Sequence, residues 1–136
     1  MRKIDAIIIH CADTFPEMDI GADAIRGWHV NQNNWRDIGY HFVIRRNGEV
    51  EKGRDVAVAG AHVAGHNAHS IGICLVGGKA RAHRQATNFT KHQWAALKFL
   101  VDDLLAEYPD AVVRGHNDYT AGKTCPTFDV RAWWDQ

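Results

Sequence analysis

The sequence is short of cysteine, proline, net charge and long apolar runs, and each shortage removes a class of protein. Three cysteines, Cys11, Cys74 and Cys125, cannot all pair within one chain. A secreted disulfide scaffold therefore does not fit, and the three read as reduced thiols or as metal or catalytic groups. The 3 prolines (Pro16, Pro109, Pro126) are too dispersed to mark a linker, and no repeat or low-complexity tract interrupts the chain, so its 136 residues read as one domain, 1–136. Sixteen basic residues balance 16 acidic ones, which speaks against a nucleic-acid partner. The opening MRKIDAIIIHCADTF ends its apolar stretch after a few residues and makes neither a signal peptide nor a membrane span. The expected place is the cytoplasm of the producing cell, without membrane insertion. What remains is a 46% apolar, 24% charged chain of globular type, rich in histidine, of which it has 9.

Ile4 to His10 is a run of Ile and Ala with only Asp5 polar, the pattern of a strand buried on both faces. Ala22 to Gln32 places Ile25, Trp28, His29 and Gln32 at helical spacing. Gly39 to Arg46 alternates, Asn47-Gly48 signals a type I′ turn, and Glu49 to Lys52 completes a hairpin. Gly60 to Ser70 reads as a loop, Ile71 to Val76 as a second buried strand, and Gly77-Gly78 as its stop. Thr90 with Gln93 forms a capping box before the helical pattern Trp94, Leu97, Val101, Leu104, Leu105. Ala111 to Arg114 is a third short strand and Phe128 to Trp134 a last helix. Strands alternating with helices, plus one hairpin, predict an α/β domain with a mixed central sheet flanked by helices.

His10 comes directly after one buried strand and His116 directly after another. If those strands run parallel, both imidazoles emerge at one edge of the sheet, where open α/β sheets carry their sites. Tyr40, at the start of the hairpin's first strand, projects from the same edge if that strand is antiparallel to them. Nine residues after His116 comes Cys125, in the polar, turn-like stretch Lys123-Thr124-Cys125-Pro126-Thr127. Two imidazoles and one thiolate on one rim make a three-ligand zinc site with an open fourth position, the arrangement of a catalytic ion. Each residue also has a plainer reading. A lone strand-end histidine is more often a hydrogen-bonded core or surface group, and a lone cysteine a small buried hydrophobe, the reading that suits Cys11 and Cys74.

The segments Ile8-Ile9-His10-Cys11-Ala12-Asp13-Thr14, Gly39-Tyr40-His41-Phe42-Val43-Ile44, Asn47-Gly48, Ser70 through Gly78, and Gly115-His116 through Lys123-Thr124-Cys125-Pro126-Thr127-Phe128-Asp129 occur in this order. Together they resemble the zinc-dependent N-acetylmuramoyl-L-alanine amidases of the phage lysozyme type (type 2 amidases), within the peptidoglycan-recognition-protein superfamily. The resemblance covers nearly the whole chain. It implies one catalytic Zn2+ held by His10, His116 and Cys125, with Tyr40 and Lys123 as catalytic side chains. It implies hydrolysis of the amide between N-acetylmuramic acid and L-alanine of the stem peptide, on a mixed sheet with the zinc cleft at one edge.

On that reading Lys123, about 6.5 Å from Cys125 in extended chain, would stabilise the oxyanion. Tyr40 would position water or substrate, or donate to the oxyanion or the leaving nitrogen. His62, in the stretch His62-Val63-Ala64-Gly65-His66-Asn67-Ala68-His69, lacks the Glu of H-E-x-x-H and is expected to line the cleft and contact substrate, with His66 and His69 structural. Peptidoglycan is the expected partner, and the chain the monomer that cuts it after another protein opens the membrane. The resemblance further implies phage RNA polymerase as a partner, inhibited by the amidase, although the chain begins close to its first strand and is short of the segment associated with that contact. Other readings stay open: an amidase recycling muropeptides in the cytoplasm, a non-catalytic peptidoglycan-recognition module, or a glycosidase, for which no pair of carboxylates is evident.

Overall fold

The computed structural model describes residues 2–135. The chain runs through β1 (Ala6–Cys11), α1 (Ala22–Gln32), β2 (Phe42–Ile44), β3 (Val50–Lys52), β4 (Ser70–Leu75), α2 (Lys91–Glu107), β5 (Val112–Gly115) and α3 (Val130–Trp134). These strands form one five-stranded sheet in the order β3-β2-β4-β1-β5. β2, β4, β1 and β5 are parallel, and β3 closes one edge antiparallel to β2, so the sheet is mixed as expected.

β1 is hydrogen-bonded on both sides and every one of its 6 residues is buried, which is why it reads as an unbroken apolar run. Its alternation serves two layers. Ile7, Ile9 and Cys11 join Ile71, Ile73 and Leu75 of β4 against Leu97, Val101 and Leu104 of α2 and Val130 of α3. Ala6, Ile8 and His10 point to the other side, where Val63 and Tyr119 cover the first two. On that same side Ala22 and Ile25 of α1 pack on Val43 and Cys74.

The capping box of α2 is present in both directions, Gln93 N–H to Thr90 Oγ1 at 3.1 Å and Thr90 N–H to Gln93 Oε1 at 3.0 Å. Gln93 is wholly buried, and its amide donates to the carbonyls of Ile44 and Val76 at 3.1 and 2.8 Å, fastening the helix start to two strand ends.

Two local expectations differ. The hairpin turn is not type I′, because Gly48 takes φ 89° while Asn47 stays out of the left-handed region. Asn47 instead accepts the Glu49 N–H on its side chain at 2.9 Å, and Arg45 pairs with Gly48 and Glu49, a three-residue loop closed by a glycine bulge. The strand after Tyr40, β2, is parallel to β4 and β1. The reason is topological: α1 carries the chain back across the sheet before β2 begins, and a crossover through a helix returns a strand in the same direction. The last helix starts at Val130, where the Asp129 carboxylate accepts from Ala132 N–H at 3.2 Å.

Candidate metal centre

His10 lies inside β1, one residue before its end and 1% exposed, rather than beyond the strand. β1 and β5 run in register with Ile9 opposite Gly115, so the next residue of each strand's path, His10 and His116, falls on the same face. Their ring centroids are 4.8 Å apart. Cys125 completes the group, with one ligand atom from each of the three residues within 4.8 Å of the others.

Cys125 is delivered by the segment after the 3-10 turn His116–Asp118. Asn117 holds that segment in shape: its N–H donates to the Cys125 carbonyl at 2.8 Å and its side-chain amide to the Phe128 carbonyl at 3.2 Å. β5 stops at Gly115, so the Cys11 N–H on that side of β1 has no strand partner and donates to Cys125 Sγ at 3.1 Å. That contact fixes the sulfur at the end of β1, on the same rim as the two imidazoles.

The imidazoles are held neutral. Burial pushes the His10 pKa well below its ordinary 6.5, and His62 and His116 push it further. Burial and then the Lys123 charge lower His116. His62 is lowered to about 3 and His41 to about 4, chiefly by burial. His10 and His116 are therefore neutral near neutral pH, as metal-ligating imidazoles must be. The donor set of two imidazoles and one thiol fits a tetrahedral zinc site with one position left over, whose ligand atoms, at Zn–N and Zn–S lengths of about 2.0–2.1 and 2.3 Å, would sit roughly 3.5 Å apart, against a spread of up to 4.8 Å here.

Tyr40 comes to the centre by a different path from the one its strand direction suggested. It precedes β2, yet its ring lies along the sheet face 5.1 Å from His10, backed by His29 at 5.6 Å. Burial and then the neighbouring cysteines raise its pKa, so the phenol keeps its proton and acts as a donor. Lys123 is exposed beside His116 and lines a cavity of about 720 Å³ with Asn117, Asp118, Thr124, Asp129 and Arg131. None of the three clustered residues lines that space, so it adjoins the centre through Lys123.

His62 turns inward, its Nδ1 2.8 Å from His10 Nε2. His66 and His69 pair with one another at 3.3 Å, and His69 reaches Asp5, a separate arrangement at the far end of β1. Sequence reasoning passed over His41, whose Nδ1 accepts the Gly72 N–H at 3.0 Å and whose Nε2 reaches the Val58 carbonyl at 2.8 Å, and Ser70, which contacts His62. No local pattern marks either, because their partners lie on other elements.

The family described as N-acetylmuramoyl-L-alanine amidase matches residues 1–128. The endolysin of Escherichia phage T7 is 46% identical over 135 residues, covering 99% of this chain and 88% of that protein. The endolysin of Klebsiella phage KP32 shows the same identity and coverage. Among solved structures, the N-acetylmuramoyl-L-alanine amidase LysC from Clostridium intestinale URNW superposes with a TM-score of 0.82 at 25% identity, covering 98% of this chain and 87% of that one. Bumblebee PGRP-SA also reaches 0.82, at 27% identity, over 100% of this chain and 83% of its own.

Proposed function

The chain belongs to the N-acetylmuramoyl-L-alanine amidase family, and from that premise we propose that it is a zinc-dependent phage or prophage endolysin. It hydrolyses the amide joining N-acetylmuramic acid to L-alanine of the peptidoglycan stem peptide. The convergence of His10, His116 and Cys125 carries this reading. When bound there, zinc supplies a Lewis acid for the scissile carbonyl and lowers the pKa of a water molecule toward neutrality.

The residues of the chain do the rest. His10 and His116, held neutral, together with Cys125 would hold the ion, whose positive charge would draw the scissile carbonyl oxygen to the site. Lys123, exposed beside His116, stabilises the negative charge that develops on that oxygen. Tyr40 retains its proton and donates a hydrogen bond to the reacting group or the leaving nitrogen. The cavity beside Lys123 gives the peptide side of the substrate a place to lie. The protein accumulates in the producing cell's cytoplasm and meets the wall once another protein opens the membrane.

Digestion of purified sacculi tests the reaction. New amino termini on L-alanine are expected, without new reducing ends. Reducing ends alone would replace the amidase reading with a glycosidase, and activity confined to soluble muropeptides would place the enzyme in wall recycling.

A further inference from the structure

Both ring nitrogens of His62 are engaged: Nδ1 faces His10 Nε2 at 2.8 Å and Nε2 faces Ser70 Oγ at 3.3 Å. A hydrogen bond between two neutral imidazoles holds one proton, and the pair alone does not say which ring carries it. Ser70 decides. Its hydroxyl has a single proton, given to the His66 carbonyl at 2.7 Å, so toward His62 the oxygen only accepts. His62 Nε2 therefore carries hydrogen and His62 Nδ1 presents a lone pair. His10 Nε2 becomes the donor across the 2.8 Å contact, and His10 Nδ1 is the nitrogen left with a free lone pair.

We propose that His62, oriented by Ser70, is a positioning residue that locks His10 in its Nε2–H form and so presents Nδ1 to the metal position beside His116 and Cys125. The inference rests on the metal reading of that cluster.

The surroundings are built for such a lock. Ser70 and His10 are 0% and 1% exposed, so solvent does not compete for their protons. The His62 ring lies against two glycines: a Cβ on Gly72 would stand 2.8 Å from its Cγ and Cδ2, and one on Gly60 would stand 2.8 Å from Cδ2. Nothing larger than glycine leaves room for an imidazole flat on β4. The loop behind it is tied down as well, since the N–H groups of His62 and Val63 donate to Asn67 Oδ1 at 2.9 and 3.0 Å. A ligating histidine whose second nitrogen donates to a fixed acceptor is a stronger base and is held at one ring angle, and losing such a partner typically costs about 10–100-fold in metal affinity.

Nitrogen-15 spectra of the metal-free full chain read the tautomers directly. Protons on Nε2 of both His10 and His62 are expected, and a proton on His10 Nδ1 overturns the proposal. Zinc affinity is then measured by competition with a chromophoric chelator. His62→Phe is expected to bind about 10–100-fold more weakly, while His62→Gln, whose amide both accepts from His10 and donates to Ser70, recovers most of the loss. Circular dichroism checks that each variant folds. If His62→Phe does not, Ser70→Ala decides: removing the acceptor must redistribute the proton on His62, and unchanged tautomers in both rings sink the idea. A wild-type chain that takes up no zinc overturns the metal reading beneath the proposal. Zinc bound equally well by folded His62→Phe overturns the proposal alone.

Discussion

The backbone N–H of Cys11 donates to the sulfur of Cys125 at 3.1 Å across 114 positions of sequence, joining the middle of the sheet to the segment that follows its last strand. The contact exists because β5 ends opposite Ile9 and leaves one donor of β1 free. The same step in the ladder puts His116 beside His10, so one strand ending early assembles all three members of the cluster.

Removing a member should empty the centre. Cys125→Ala and His10→Ala are expected to lose zinc affinity by more than the ~100-fold that removal of an outer partner costs, with wall hydrolysis falling to background. Metal analysis and turbidity loss of sacculi on one preparation check this. Full activity after verified zinc removal from the wild type would contradict it.

Lys123→Ala separates chemistry from metal binding. Lys123 is exposed, so the variant should keep its zinc and its melting temperature while kcat falls about 10²–10³-fold, the usual loss for one oxyanion donor. An unchanged kcat with a raised KM would move Lys123 from catalysis to binding.

Acid should weaken the metal-free fold before it protonates the carboxylates. The folded state holds His41 at about 4 against an ordinary 6.5, because the ring is buried and the Arg2 and Arg54 charges add to that, outweighing the hydrogen bond to the Val58 carbonyl, which acts the other way. Unfolded chains take up that proton as pH falls through 6.5, whereas folded ones wait until about 4. The unfolded state therefore binds more protons in this window, and stability declines as pH falls from 6.5 toward 4, then levels with respect to this group. His62, lowered to about 3, extends the decline. Urea midpoints measured across the range should slope downward, and His41→Gln should flatten them.

Gln93→Leu tests what fastens α2. The substitution keeps volume but leaves the buried Ile44 and Val76 carbonyls without this donor and removes half of the capping box, for an expected loss of about 2–4 kcal/mol. The proposed zinc site, with His10 on the opposite face of the sheet, should keep its affinity. A midpoint shift within error would show that the helix is held by its apolar face alone.

What the sequence made legible is what local chemistry decides. The Ile run of β1, the Thr90–Gln93 capping box and the alternation leading to Asn47-Gly48 each depend on neighbours within a few residues. The place of Tyr40 does not, because it follows from the crossover through α1 that makes β2 parallel to β4. The inward turn of His62 depends on Gly60 and Gly72, distant in sequence from β1 and marked by nothing but their lack of a side chain. His10 and His116 are legible from the buried runs they adjoin and Cys125 from its polar, turn-like neighbours, while the ladder register that brings them together is visible only in three dimensions.

The centre also joins parts of the chain that open on different timescales. β1 is paired along both edges, so its amide hydrogens are expected to be among the slowest to exchange with solvent. Residues 116–128 contain no strand and are held by turn hydrogen bonds, by Asn117, by the Cys11 contact and by the packing of Phe128 on Trp94, so they are expected to exchange through local opening. An ion held by His10, His116 and Cys125 would bridge that strand and the segment expected to open more readily. Metal binding should therefore appear as slowed exchange in 116–128 and hardly at all in β1, so that the C-terminal segment takes on the kinetics of the sheet.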